Sequence, residues 1–160
     1  MKTYLIGFFM AFTFFSASAQ TTPATTLPDF QLYKADGLAF TKTQVTPGKK
    51  TLIMFFDATC SHCQKTMQQL SKRYAELEKI NIYLVSLDKH ITMNYFMSQY
   101  GKNLIGKKNV LLLEDRDHIF IPLFLPSKYP ALYLYSPKNQ LTFTTSGDEQ
   151  LQKLFDAIKK

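Results

Sequence analysis

The sequence is short of the residues that bind metals and haem. Only two of its 160 residues are cysteine, Cys60 and Cys63, and only three are histidine. A structural zinc site needs a second pair of ligands beside a Cys-X-X-Cys, and His90 and His118 stand isolated. Haem attachment needs His directly after the second Cys, where Gln64 stands. No apolar run reaches the roughly 20 residues of a membrane-spanning helix. No cysteine follows the apolar N-terminal run, so lipid attachment to a cysteine there is excluded. The lysines are scattered and form no basic stripe of the kind nucleic acid needs. There is no internal repeat and no second domain.

What is present starts with an export signal. Lys2 precedes an apolar run from Tyr4 to Phe15, and Ser16-Ala17-Ser18-Ala19 supplies small residues. This pattern predicts a secretory signal peptide over residues 1–19, with an uncleaved anchor as the alternative. The remaining chain carries 18 basic and 12 acidic residues, a net charge of +6. Its length suits one domain with a normal core. Residues 20–27 are expected to form a flexible polar leader, and 28–160 the folded domain. An exported protein with one cysteine pair lives where disulfides persist.

Hydrophobic periodicity outlines the fold. Leu27–Tyr33 and Leu38–Val45 read as strands around the turn Ala35-Asp36-Gly37. Thr51–Phe56 and Ile80–Leu87 are apolar enough for strands buried on both faces. Met67, Leu70, Tyr74 and Leu77 recur at helical spacing, and so do Met93, Phe96, Met97 and Tyr100 before Gly101. Val110–Glu114 and Ala131–Tyr135 are strands, the latter paired back by Leu141–Thr144. Pro122 and Pro126 allow at most a short or broken helix between them. Leu151, Leu154, Phe155 and Ile158 form the apolar face of a last helix. The order predicts a mixed sheet covered by helices.

The chain is organised around Thr51 to Cys63. A buried strand ends in a turn, and two cysteines two residues apart open a helix. Cys60 falls at the first turn, where backbone N–H groups and the helix dipole favour a thiolate. In such motifs the thiol pKa falls to roughly 3.5–7.5. Cys63, one turn along, is placed to attack a mixed disulfide and release the substrate. Cys60 is therefore the expected nucleophile and Cys63 the resolving thiol. His62 between them is expected to stabilise the thiolate of Cys60, which would make the disulfide more oxidising. A purely structural disulfide is the other reading, but a loop this short gains little stability.

With this strand–Cys-X-X-Cys–helix unit in place, the sequence resembles the thioredoxin-like superfamily, nearest to exported thiol-disulfide oxidoreductases of the TlpA/ResA type. The resemblance runs from Leu27-Pro28-Asp29-Phe30 to the C-terminal helix. It implies an α/β thioredoxin-like fold, with a central mixed sheet flanked by helices and an N-terminal β-hairpin extension. It also implies that Tyr129–Pro130 is a cis bond facing the dithiol, with the Tyr129 backbone docking an extended substrate peptide. Several positions depart from the pattern. Thr59 replaces the usual aromatic before the first Cys, and the chain has no tryptophan. Ser61 replaces the common Pro between the cysteines. Met54 stands where thioredoxins carry a buried acid; Asp57 is either its substitute or a turn and cap residue. Asp57 also stands where a peroxiredoxin's Thr-X-X-Cys motif has Thr.

The resulting expectation is a periplasmic thiol-disulfide oxidoreductase that reduces or exchanges disulfides in exported proteins. Its sites are Cys60, Cys63 and His62 for catalysis, with Tyr129 and Pro130 for the substrate. No cofactor, metal or nucleic acid is implied. The implied partners are disulfide-containing exported proteins and a membrane thiol-disulfide electron donor or acceptor, met by a monomer. The alternatives are a binding module with an inert disulfide and a disulfide donor or isomerase.

Overall fold

The computed structural model describes residues 23–160. The expected signal segment, 1–19, and residues 20–22 of the leader lie outside the described residues.

Among the described residues seven strands form one sheet: β1 (Gln31–Tyr33), β2 (Ala39–Thr41), β3 (Thr51–Phe55), β4 (Asn81–Ser86), β5 (Val110–Glu114), β6 (Ala131–Tyr135) and β7 (Leu141–Ser146). Their spatial order is β2-β1-β5-β4-β3-β6-β7. The three inner strands β3, β4 and β5 run parallel. The rest pair antiparallel, with β6 and β7 on one side and the β1–β2 hairpin on the other. The expected mixed sheet with an N-terminal hairpin is therefore present.

Among the described residues four α-helices cover the sheet: α1 (Ser61–Lys72), α2 (His90–Tyr100), α3 (Phe120–Phe124) and α4 (Leu151–Lys159). Strand side chains alternate between the two faces, which splits the core in two. Leu52, Met54, Ile82, Leu84, Leu132 and Leu134 pack under α1, α2 and α4. Ile53, Phe55, Tyr83, Val85 and Tyr133 pack on the other face with Phe120 and Phe124 of α3 and with Phe40 of the hairpin. Every residue of β3, β4 and β6 is buried, as apolar runs without alternation predict.

Several elements differ from the sequence expectation. The first two strands are shorter. The Leu27 N–H donates instead to the Asn139 carbonyl (2.8 Å), and Leu141 N–H to Thr25 (2.7 Å). The last leader residues are thus tied to the β6–β7 hairpin, and Leu27 is buried. Beyond β2 the chain turns into a 3-10 segment, Lys42–Gln44, with the Gln44 side chain accepting from Thr41 N–H (2.8 Å). The first long helix stops at Lys72, and Tyr74–Glu76 is a separate 3-10 turn. Leu77 still reaches the core, fully buried. Helix α3 tolerates Pro122 because it lies in the first turn, where its missing N–H has no partner to lose. Asp115 supplies the acceptors at that helix start, taking Ile119 N–H (3.0 Å) and Phe120 N–H (2.9 Å).

Candidate active site

The three parallel strands end together, and each is followed within a few residues by an aspartate: Asp57, Asp88 and Asp115. Crevices at the carboxyl ends of parallel strands are the usual ligand sites of α/β sheets. The dithiol lies at this end.

Beyond β3 the chain leaves the sheet at Asp57. Its Oδ1 accepts from the Thr59 N–H (2.7 Å) and hydroxyl (2.6 Å), closing a tight turn. The Cys60 N–H donates to the Asp57 carbonyl (3.2 Å). Of the two readings of Asp57, the structure shows this turn. A second aspartate braces the loop from β4: Asp88 Oδ2 accepts from Ala58 N–H (2.9 Å) and from the Ser86 hydroxyl (3.0 Å). The loop carrying Cys60 is therefore pinned from both sides.

Cys60 is the N-cap residue of α1, with extended backbone, and its carbonyl accepts from Gln64 N–H (3.0 Å). No acidic side chain occupies the first turn, so none there offsets the positive end of the helix dipole beside Cys60. Cys60 is partly exposed and Cys63 fully buried, and both are free thiols. Burial pushes the Cys63 thiol far up. A backbone contact from Asp57 opposes the rise, whereas the Cys60 side chain, hydrogen-bonded to Cys63, and the Asp57 charge add to it. One thiol is thus reachable and the other is held protonated behind it.

The loop before β6 packs into the same core: Tyr129 and Cys60 both lie against the cluster that holds Cys63. The Tyr129–Pro130 bond is cis. The Pro130 carbonyl accepts from Gly147 N–H (2.7 Å), which ties this loop to the β7–α4 connection. The Tyr129 ring is half-buried against Phe55, with centroids 5.1 Å apart. Its hydroxyl is pushed up first by burial, then by the charges of Asp57, Cys63, Asp88 and Asp115.

His62 is exposed and meets Asp148, with Nδ1 2.9 Å from Oδ1. Asp148 and Asp88 were missed from the sequence. Neither belongs to a local motif: Asp148 is 86 positions from His62, and Asp88 is 30 from Ala58. The other two histidines are apart from the dithiol. His90 Nε2 lies 3.0 Å from the Tyr33 carbonyl, and His118 sits in the loop before α3. No group of three or more His, Cys, Asp or Glu side chains is placed to hold a metal among the described residues.

Solved structures share the fold. A thioredoxin-like protein from Aeropyrum pernix matches 82% of this chain and 88% of its own, with 15% identity and a TM-score of 0.68. A thio-disulfide isomerase from Thermus thermophilus matches 87% and 96%, at 23% identity and TM-score 0.65. A secreted Mycobacterium tuberculosis disulfide oxidoreductase, homologous to E. coli DsbE, matches 81% and 94%, at 21% identity and TM-score 0.63. These likenesses establish the thioredoxin-like fold. No curated protein matches the chain significantly. The family match takes in residues 23–149, which hold the hairpin, the dithiol, the cis-proline loop and Asp148, and the chain therefore belongs to the redox-active AhpC/TSA family.

Proposed function

We propose that the protein is an exported thiol-disulfide oxidoreductase that reduces or exchanges disulfides in other exported proteins. One observation carries this reading: a partly exposed thiol caps a helix, a buried thiol lies in contact behind it, and a cis-proline loop packs against the same core. The family match, the fold and the signal-like N-terminus support it.

The chemistry balances with the residues present. The Cys60 thiolate attacks one sulfur of a substrate disulfide, and the other sulfur leaves as a thiolate that takes up a proton. Cys63 then loses its proton and attacks the Cys60 sulfur, expelling the second substrate thiolate. The substrate gains two electrons and two protons, and Cys60 and Cys63 become a disulfide. Burial of Cys63 keeps it from competing as the first nucleophile. Tyr129 and Pro130 form the wall against which an extended peptide lies. The exchanging partners are disulfide-bearing exported proteins on one side and a membrane thiol-disulfide carrier on the other. Asp57 in place of a Thr-X-X-Cys threonine argues against peroxide as the substrate.

The direction of electron flow is read from the reduction potential of the pair, measured against glutathione. A value near roughly −270 mV makes the protein a reductase, and one towards roughly −120 mV a disulfide donor. Cys63→Ser is expected to trap substrates as mixed disulfides on Cys60. Absence of any trapped species from a periplasmic extract would remove the catalytic reading in favour of an inert pair.

A further inference from the structure

The lysines are scattered in sequence, but the fold gathers many of them at one end. Lys49 and Lys50 precede β3, Lys79 precedes β4, and Lys107 and Lys108 precede β5. Those three strands are parallel, so all five lysines lie at their amino ends. The dithiol and the aspartates Asp57, Asp88 and Asp115 lie at the carboxyl ends, a strand of five residues away, or roughly 17 Å. Lys138 falls with the lysines, because Tyr135 pairs with Thr51 and the β6–β7 turn follows it. At the dithiol end Lys89, Arg116 and Lys128 each pair with a glutamate. Charge is thus divided along the sheet.

The lysine end has a shape as well as a sign. Two recesses of about 410 and 490 Å³ share Tyr74, Glu78 and Lys107 as walls. Lys49 and Lys108 line the first, and Lys72 and Lys102 the second. These five lysines are exposed, and none forms an ion pair among the described residues. Glu78 is the one carboxylate lining either recess. Ile105 stands among them, 53% exposed, beside the buried Leu104. An exposed apolar side chain among unpaired cations fits a surface that is anionic outside and apolar beneath. A nucleic-acid backbone offers the charge but no apolar layer for Ile105.

The chain also enters the fold at this end. The Thr25 carbonyl accepts from Leu141 N–H (2.7 Å), and Thr26 bridges to Gln140, both beside the β6–β7 turn. The apolar run Tyr4–Phe15 ends eight residues before Pro23. A signal segment or anchor there would hold the lysine end of the fold against the lipid. We propose that this end is a docking face for the surface of an anionic phospholipid bilayer. The five lysines meet the headgroups, Ile105 enters the boundary beneath them, and the dithiol is turned away from the lipid. The face is independent of the chemistry at Cys60.

The test uses residues 20–160, which carry every described element of the fold but not the apolar run, whose own affinity for lipid would mask the lysines. Partitioning is measured by co-sedimentation with vesicles of equal parts phosphatidylglycerol and phosphatidylcholine, and of phosphatidylcholine alone. Binding is expected to the first and not the second, and to be lost as salt is raised. Lys107→Gln with Lys108→Gln is expected to weaken it by roughly thirtyfold. Lys65→Gln with Lys128→Gln removes the same charge from the dithiol end and is expected to leave it nearly unchanged. The chain has no tryptophan, so Ile105→Trp gives a single reporter. Its emission is expected to shift to the blue on the anionic vesicles, whereas that of Ile91→Trp, in the first turn of α2 at the dithiol end, is not. Equal weakening by the two lysine pairs would mean that net charge alone acts, and overturns the proposal. So does a blue shift at position 91 in place of 105, an absence of salt-sensitive binding to the anionic vesicles, or binding to a DNA duplex without binding to them. Cys60→Ser is expected to partition as the wild type does, so a failure here leaves the oxidoreductase reading standing.

Discussion

At the scale of single residues, the two thiols differ by burial more than by chemistry. Cys63 is fully enclosed by the core under α1, and losing its proton there leaves a charge without water. Cys60 keeps an open path to solvent. Native reduced protein is therefore expected to take up one equivalent of iodoacetamide at neutral pH, all of it on Cys60, and a second only after unfolding. Mass spectrometry of the digested protein checks this. Rapid double labelling in the native state would mean that Cys63 is not held behind its neighbour. This asymmetry was legible in the sequence, because the Cys-X-X-Cys spacing puts the second cysteine on the inward face with Met67 and Leu70. The partner of His62 was not legible, since nothing near Gly147-Asp148 marks a loop that folds back onto α1.

At the scale of elements, the dithiol loop depends on β4 as much as on its own helix. Asp88 accepts from both Ala58 N–H and the Ser86 hydroxyl, so it couples the end of β4 to the residues before Cys60. Asp88→Ala removes a charged acceptor from two partly buried donors. The expected loss is about 2–3 kcal/mol of stability, in the range for a hydrogen bond to a charged group. Slower disulfide exchange is also expected, because the loop that aims Cys60 is loosened. Urea unfolding and insulin-type disulfide reduction measure the two effects, and a variant with wild-type stability and turnover would show that the brace is dispensable. Long apolar runs predicted β3, β4 and β6 almost residue by residue, because burial on both faces leaves no other use for them. The shorter elements did not follow. Thr41 starts a 3-10 turn instead of continuing β2, and Arg73 ends α1 although Leu77 keeps the apolar spacing. At Thr41 a local cap, the Gln44 side chain accepting from Thr41 N–H, sets the boundary, and at Arg73 contacts to Glu76 and to Gln152 of α4 do.

At the scale of the whole molecule, the buried acids link stability to pH, and in a redox-dependent way. Burial raises the Cys63 thiol above its ordinary 9.0 and the Tyr83, Tyr133 and Tyr135 phenols above 10.0. A group raised in the folded state gives stability that is complete below its unfolded value and is lost as pH climbs past it. On the acid side the sign reverses. Arg73, then Lys159, pull the Glu76 carboxyl down to about 2. Burial pushes Glu114 up, but Lys89 and Arg116 together outweigh it and hold it below its ordinary range. The stability these carboxylates give is present above pH 4.5 and drains away as they protonate below it. The reduced protein is therefore expected to hold a plateau of stability through neutral pH and to weaken from pH 9 upward. In the oxidised protein the Cys63 sulfur is bonded to Cys60 and has no proton to lose, so its decline begins only near pH 10, with the tyrosines. Urea midpoints of the two redox forms across pH 8–11 measure the difference. Coincident alkaline limbs would mean that the reduced Cys63 is hydrated, and with it would go the physical basis for separating nucleophile from resolving thiol.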